Sequence, residues 1–207
     1  MAKKARVYDG TAWQELASAQ TDLTAYSTTA QMDAAIAAIP AGGLTLINTT
    51  SFSAVATQNF PSVFSATYDS YHIVFNFRGS ASAKAAFRFS AGASPITTAT
   101  YASKTIYSGV NSTSILQTNA PAGTYLELGN ITSSATFGTC AGSMTVSNVF
   151  AAVRSGISGV SMNASTSEIY LSTFGGQNTN TTSYDGFALT ASTGTITGSA
   201  SVYGYNK

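Results

Sequence analysis

The chain has 207 residues and a net charge of +1, and only 8% of its residues are charged, against roughly a quarter in ordinary soluble domains. One histidine, one cysteine and eight carboxylates leave little material for acid–base, nucleophilic or metal chemistry, so we expect no cofactor and no enzymatic activity. The hydrophobic share of 44%, with eleven Tyr and eleven Phe, argues against intrinsic disorder, because a core can be buried. With so little positive charge, no nucleic-acid partner is expected.

The same composition bears on localisation. A membrane-spanning helix needs about 20 consecutive apolar residues, and the best run, residues 34–40, is far too short, so no membrane insertion is expected. Basic residues cluster near the N-terminus at Lys3, Lys4 and Arg6, but no apolar segment follows, so no secretory signal is predicted. The single cysteine, Cys140, allows no intrachain disulfide and suggests synthesis in a reducing cytoplasm.

The first predicted element is a tight hairpin at Val7–Trp13. Asp-Gly supplies the turn, with β-prone residues on each side. So small a unit cannot bury its own tryptophan, so we expect residues 1–27 to form a leader that docks on another protein through Val7, Tyr8 and Trp13. The alternative is a leader without fixed structure.

The second element is a short helix within residues 28–43. A T-x-x-Q capping box begins at Thr28, and Met32, Ile36 and Ile39 recur at helical spacing before a proline and two glycines. The remaining faces are mostly alanine, and such a helix is marginal alone. We predict a short parallel bundle with copies of the same helix, with these three side chains in its seam; the alternative is a helix packed on its own β-domain.

Residues 44–207 are predicted to form an antiparallel β-sandwich, jelly-roll-like in arrangement. Residues 71–78 alternate, with four large apolar side chains on one face, and Phe87 and Phe89 repeat the pattern after a turn at 79–83, which predicts a hairpin. Further predicted strands lie at 44–48, 51–57, 100–107, 124–128, 135–139, 142–150, 168–174, 186–190 and 195–205. The fold class is therefore all-β, with an N-terminal helical stem.

The order of these parts resembles tailed-bacteriophage fibre proteins. The resemblance lies in V-Y-D-G-T-x-W at Val7–Trp13, D-L-T-x-Y-S-T at Asp22–Thr28, M-D-A-A-I-A-A-I at Met32–Ile39, the opening of the β-domain at Phe64–Tyr71 and G-x-x-x-V-Y-G-Y at Gly198–Tyr205. It implies a homotrimeric virion surface protein, made in the host bacterial cytoplasm, whose N-terminus binds other virion proteins and whose β-domain points outward. It supplies no catalytic residues.

Residue types with chemical potential are few and scattered. His72 lies on a strand face and is expected to be structural or exposed, and Cys140 is expected to be a small buried hydrophobe. Glycoside cleavage needs two carboxylates about 5–10 Å apart, and a sandwich could bring together Glu127 and Glu168, or either of them with Asp69 or Asp185. Arg78 and Arg88 alternate with aromatic residues and could share one face as a platform for an anionic sugar, act as solubilising strand residues, or pair with Asp69 and Glu127.

The best candidate contact loop is the Gly- and Asn-rich segment 175–186. Its amides and its tyrosine suit adaptable recognition, so Asn178, Asn180 and Tyr184 are predicted to contact a ligand; a plain exposed turn is the alternative.

These patterns predict a non-enzymatic structural or adhesive virion component, a tail fibre or receptor-binding protein that contacts a glycan or protein of the host surface. A capsid head fibre or decoration protein without a receptor is the alternative.

Overall fold

The computed structural model describes residues 6–15, 29–30, 33, 43–133, 139–164 and 168–206. The chain divides into two compact units, Met1–Ala41 and Gly42–Lys207, each described by itself. No helix among the described residues is long and apolar enough to cross a membrane.

The predicted N-terminal hairpin is confirmed. Strands β1 (Arg6–Tyr8) and β2 (Trp13–Glu15) pair antiparallel, with Tyr8 opposite Trp13. The Asp9 carboxylate accepts hydrogen bonds from the backbone N–H of Thr11 and Ala12, both at 2.9 Å, and Gly10 has a φ of 99°, which glycine adopts without strain. Tyr8 is exposed, as a docking side chain would have to be.

The predicted stem cannot be followed. Positions 29–30 and 33 are helical and exposed. Met32, Ile36 and Ile39 lie outside the described residues, as does the capping box, so the helix and its role in a trimer stay predictions.

The second unit contains a large sheet of eight strands. Their spatial order is β3, β15, β5, β11, β12, β13, β8, β9, and every neighbouring pair is antiparallel. The strands are β3 (Leu44–Val55), β5 (Ser70–Gly79), β8 (Tyr101–Gly109), β9 (Leu116–Gly123), β11 (Thr139–Ser147), β12 (Ser155–Ala164), β13 (Ile169–Asn178) and β15 (Ile196–Tyr205).

A small sheet of five strands covers one face of the large one. Its order is β10, β6, β14, β4, with β7 paired to β6, and all its pairs are antiparallel. The strands are β4 (Thr57–Phe60), β6 (Ala83–Ala91), β7 (Ser94–Pro95), β10 (Leu126–Ile131) and β14 (Gly186–Ala191). Buried side chains from the two sheets form one core, so the predicted antiparallel, all-β sandwich is what the described part of this unit contains.

The predicted hairpin between residues 71–78 and 87–89 is wrong. β5 belongs to the large sheet and β6 to the small one, so the turn at 79–83 carries the chain across the sandwich. The alternation itself is confirmed, because Tyr71, Ile73, Phe75 and Phe77 are all buried. These residues and the β6 rings Phe87 and Phe89 belong to one buried core, and packing across a core produces the same period in sequence as strand pairing.

Among the strands of four or more residues, β4, β9 and β12 were not predicted. They read T-Q-N-F, L-Q-T-N-A-P-A-G and S-G-I-S-G-V-S-M-N-A, so small and polar residues dilute the apolar alternation. Their pairing is determined by long-range neighbours. β12 is completed by ladders to β11 and β13 on its two sides.

Stacked aromatic rings join the two sheets. Phe187 of β14 stacks on Phe60 at 4.5 Å and on Phe87 at 5.3 Å between ring centroids, and it also contacts Phe64 at 5.8 Å. Phe64 in turn packs against Tyr71 of the large sheet at 4.7 Å. All five rings are buried, so Phe187 is the centre of a cluster that spans the sandwich.

Replacing Phe187 with alanine should therefore lower the free energy of unfolding by about 3–5 kcal/mol, because a large cavity forms among rings that cannot collapse. Urea denaturation measures this loss. The matched control is Phe150→Ala, a ring that is 43% exposed, which should change stability by no more than about 0.5 kcal/mol. Equal losses in the two variants would contradict the central role of Phe187.

Candidate functional site

The predicted contact residues Asn178 and Tyr184 are buried in the chain, where they have hydrogen-bond partners of their own and do not face solvent. Both have no exposed surface, and the Tyr184 hydroxyl donates to Asn178 Oδ1 at 3.1 Å. The Tyr184 ring stacks on Phe89 at 4.8 Å. Asn180 is half-buried, and its backbone N–H also donates to Asn178 Oδ1, at 2.9 Å. Amide and hydroxyl groups here satisfy buried hydrogen bonds, which composition does not distinguish from ligand contacts.

These residues instead fasten loops to one another at one end of the sandwich. Asn178 Nδ2 donates to Thr100 Oγ1 at 3.1 Å, and Thr179 N–H donates to the Thr100 carbonyl at 2.8 Å. Tyr184 N–H donates to the Val149 carbonyl at 2.7 Å. The loop that follows β13 is thereby tied both to the segment before β8 and to the loop between β11 and β12.

A cavity of about 270 Å³ lies beside these tied loops, at the end of the β5–β11 ladder. Asp69 immediately precedes β5 and Asn148 immediately follows β11, and the Asn148 N–H donates to the Asp69 carbonyl at 3.1 Å. The cavity is lined by Ala66, Tyr68, Asp69, Asn148, Val149, Phe150 and Ala151. We call it the strand-end pocket.

The backbone at Asn148 determines which side chains the pocket presents. Its φ of 58° is left-handed, a conformation that asparagine tolerates better than most residues. After this reversal Val149 is fully buried while Phe150 is exposed at the pocket. The Tyr68 ring, which also lines the pocket, lies against Gly204. Any side chain at position 204 would collide with this ring, so the glycine leaves the space that the tyrosine occupies.

The chemistry of the strand-end pocket is mixed. The Asp69 carboxylate and the Asn148 amide are both exposed and can accept or donate hydrogen bonds, while Tyr68 and Phe150 offer aromatic surface. A few polar groups beside aromatic walls are typical of small-ligand sites. The sequence prediction missed this pocket because the alternation after Gly142 was extended as a strand through Phe150; the signal was the asparagine at 148, where β11 has already ended.

The other sequence candidates do not meet at this site. Cys140 is fully buried, as predicted, and His72 is half-buried beside Tyr205, with ring centroids 6.5 Å apart. The shared platform of Arg78 and Arg88 is wrong, because the two arginines belong to different sheets. Arg88 lies over the Tyr125 ring at 5.7 Å and donates from Nε to the Thr124 carbonyl at 3.0 Å.

The two glutamates considered for glycoside cleavage have other partners. Glu127 forms an ion pair with Lys84 at 2.6 Å, and Glu168 accepts a hydrogen bond from the Asn111 N–H at 3.1 Å. Within the described residues, no group of three or more His, Cys, Asp and Glu side chains is placed to hold a metal ion.

Comparison of the chain with protein-family models, curated proteins and solved structures found no match. A function for this chain therefore has to be inferred from its own residues and their geometry, together with the fibre resemblance of the sequence.

Two ionisable groups are buried in the core: Tyr101, which follows Thr100 of the tied loops, and Cys140, at the opposite end of the β5–β11 ladder. Burial raises the pKa of the Tyr101 hydroxyl well above its ordinary value, although this hydroxyl accepts a hydrogen bond from the Phe89 N–H at 2.7 Å. Burial also raises the pKa of the Cys140 thiol to about 12. The folded chain thus keeps both protons at pH values where the unfolded chain loses them.

Stability should consequently be complete below about pH 8.5, the ordinary thiol pKa, and should fall as the pH rises toward 12, because only the unfolded state ionises. Urea denaturation between pH 7 and pH 11 measures the decline. Tyr101→Phe should reduce its steepness, while costing about 1–3 kcal/mol at pH 7 by leaving the Phe89 N–H unpaired. A wild-type curve that stays flat to pH 11 would contradict this prediction.

Proposed function

We propose that the chain is a non-enzymatic structural and adhesive component of a bacteriophage virion, a tail fibre or receptor-binding protein whose strand-end pocket binds a saccharide of the host surface. The observation that carries this proposal is the pairing of polar and aromatic groups in the pocket. The fibre resemblance of the sequence supports the virion context.

Saccharide is the ligand class that fits the pocket walls. Sugar hydroxyls donate and accept hydrogen bonds, which suits the Asp69 carboxylate and the Asn148 amide. The C–H face of a sugar ring is apolar and packs against aromatic surface, which Tyr68 and Phe150 supply. A cavity of about 270 Å³ is the size of one or two sugar units rather than a protein interface.

The loops of the pocket are already fixed in place. Tyr71 Oη accepts from the Ser65 N–H at 2.7 Å and donates to the Ser65 carbonyl at 2.8 Å, which ties the segment before Asp69 to the core. Tyr184 anchors the other wall through Val149. Such anchoring lowers the entropy cost of ordering loops when a ligand binds.

Binding rather than cleavage is supported by the carboxylates. Among the residues that line the pocket, Asp69 is the one carboxylate, whereas glycoside hydrolysis uses two. Glu127 forms an ion pair with Lys84, and both residues belong to the small sheet, whereas the pocket lies at the end of the β5–β11 ladder of the large sheet.

In this proposal the remaining parts serve assembly. The leader docks on other virion proteins through Val7, Tyr8 and Trp13. Copies of the chain form a homotrimer whose stem uses Met32, Ile36 and Ile39, and whose β-domains have the jelly-roll-like arrangement. Near-neutral charge favours association, because copies do not repel one another.

Position in the virion separates this function from its alternative. Immunogold labelling of intact virions with antibody against the full chain should mark the tail tip or fibres. Label over the capsid would favour a head fibre or decoration protein and would contradict the receptor role.

Phe150→Ala should weaken binding of the full-length protein to bacterial cells and to immobilised surface polysaccharides by about tenfold or more, because it removes an aromatic wall of the pocket. Asp69→Asn tests the carboxylate in the same assay. Binding is measured by flow cytometry with labelled protein and by biolayer interferometry.

Val153→Ala is the matched control, since Val153 is an exposed apolar residue of the same loop that does not line the pocket. It should bind as the wild type does. Undiminished binding by both Phe150→Ala and Asp69→Asn would place any receptor contact elsewhere on the molecule.

A further inference from the structure

The outer face of the large sheet, which the small sheet does not cover, carries a strip of apolar side chains. Five aliphatic or methionine residues there are between 43% and 74% exposed. They are Ile106, Ile115, Val160, Met162 and Leu171. We call this set the outer strip.

Strand register makes the outer strip continuous. Val160 lies opposite Thr173, which lies opposite Ile106 on the next strand. Met162 lies opposite Leu171 in the adjacent row. Together with Ile115, which immediately precedes β9, these side chains border a groove of about 490 Å³.

Residues 160–163 of β12 and 171–172 of β13 reverse the polarity of an ordinary half-buried strand, whereas Ile157 and Phe174 further along the same strands are apolar and buried. The inner positions Ser161, Asn163 and Ser172 are polar and buried, whereas Val160 and Leu171 are apolar and exposed. A sheet with one wet face has its apolar residues on the inner side. Here the apolar residues face outward, toward a surface that no other described residue of this unit covers.

Hydrogen bonds of the buried polar side chains fix this reversed polarity and the strand register that produces it. Ser161 Oγ donates to the Leu128 carbonyl at 2.6 Å, and Asn163 Nδ2 donates to Ser172 Oγ at 2.6 Å. Asn163 Oδ1 accepts from the Asn130 N–H at 3.2 Å. The inner polar groups are therefore satisfied, and a one-residue shift would break all three bonds.

We propose that the outer strip is the surface through which copies of this chain associate. The inference deepens the proposed function, since it rests on the self-assembly proposed there and identifies its surface. Contiguous exposed apolar area of this kind marks interaction sites.

Electrostatics favour a second copy as the occupant. The eight strands of the large sheet contain two charged residues, Arg78 and Lys104, so copies can approach face to face with little desolvation of charge. A sugar would find few hydrogen-bonding groups on the strip. Another apolar surface with the same low charge, which the chain itself supplies, is complementary to it.

The outer face of the large sheet is large enough for a stable interface between two copies. The large sheet has eight strands of 8 to 12 residues. At about 4.8 Å between strands and 3.3 Å per residue, its outer face is on the order of 1,000 Å². A stable interface buries about 800 Å² on each partner.

The edges of the same sheet are less suited to association. β9 carries Pro121, which cannot donate a hydrogen bond, and the β8–β9 ladder shifts register after Tyr101. At the other edge, β3 is irregular near Ala54, whose φ is 52°, and its ladder to β15 shifts register twice. Such features block edge-to-edge pairing, which leaves the face.

Maleimide labelling of the purified full-length protein tests the proposal directly. Thr173 lies within the strip and is exposed in the single chain, so Thr173→Cys should react quickly if the face is open and slowly if another copy covers it. The native Cys140 is fully buried and will not interfere. Val153→Cys, in an exposed loop outside the sheet, is the matched control.

At high protein concentration we expect Thr173→Cys to label about tenfold more slowly than Val153→Cys, the rate ratio that corresponds to about 1.4 kcal/mol of protection. Dilution should raise the labelling rate of Thr173→Cys, because associated copies separate. This comparison uses the same variant at two concentrations. Adding Val160→Lys to Thr173→Cys should restore fast labelling, because a lysine ammonium would be buried without a partner; circular dichroism checks that this variant is folded.

Equal labelling rates at the two positions would overturn the outer strip as the surface. If light scattering then still gave a multiple of 21.2 kDa for the wild type, self-assembly would stand and would use another surface. A wild-type mass of 21.2 kDa at micromolar concentration would overturn both the strip and the proposed homotrimer.

Discussion

The packing of aromatic rings between the two sheets is the constraint on which the rest of the structure depends. The chain has few charges and no disulfide, so its folding free energy has to come from apolar burial and hydrogen bonds. Phe187 and Phe64 connect the small sheet to Tyr71 of the large one. Phe64 lies two residues before Ala66, which lines the strand-end pocket. The packing that holds the sheets together therefore also fixes one wall of the pocket.

Sequence periodicity predicted which residues are inside but not which strands are neighbours. The alternation at residues 71–77 was correct, yet it produced a false hairpin with β6, because a strand paired beside another and a strand packed across from it have the same two-residue period. β12 escaped prediction for a related reason. From Val160 to Asn163 its apolar residues face outward and its polar residues inward, so alternation alone does not identify the buried face. The buried Ser161 is satisfied by its hydrogen bond to the Leu128 carbonyl.

The candidate site shows the same limit at the level of single side chains. Composition predicted that the loop containing Asn180 contacts a ligand through Asn178 and Tyr184, but in the structure these two buried side chains bond to each other. Asparagine and tyrosine serve equally well as ligand contacts and as buried tethers, and only burial separates the two uses. The pocket itself depends on a left-handed backbone at Asn148, for which the sequence signal was the residue type alone, because asparagine tolerates this conformation better than most residues.

The positions of the two proposed surfaces are compatible. On β11, Ser143 lies in register with Val160 of the outer strip, while Ser147 adjoins the strand-end pocket. These positions are four residues apart, about 13 Å along the strand, and the strip continues from Val160 to Met162 away from the pocket. Copies joined through the strip would therefore keep their pockets open. Several weak saccharide sites held on one particle act together, and avidity then supplies the attachment strength that one small pocket lacks.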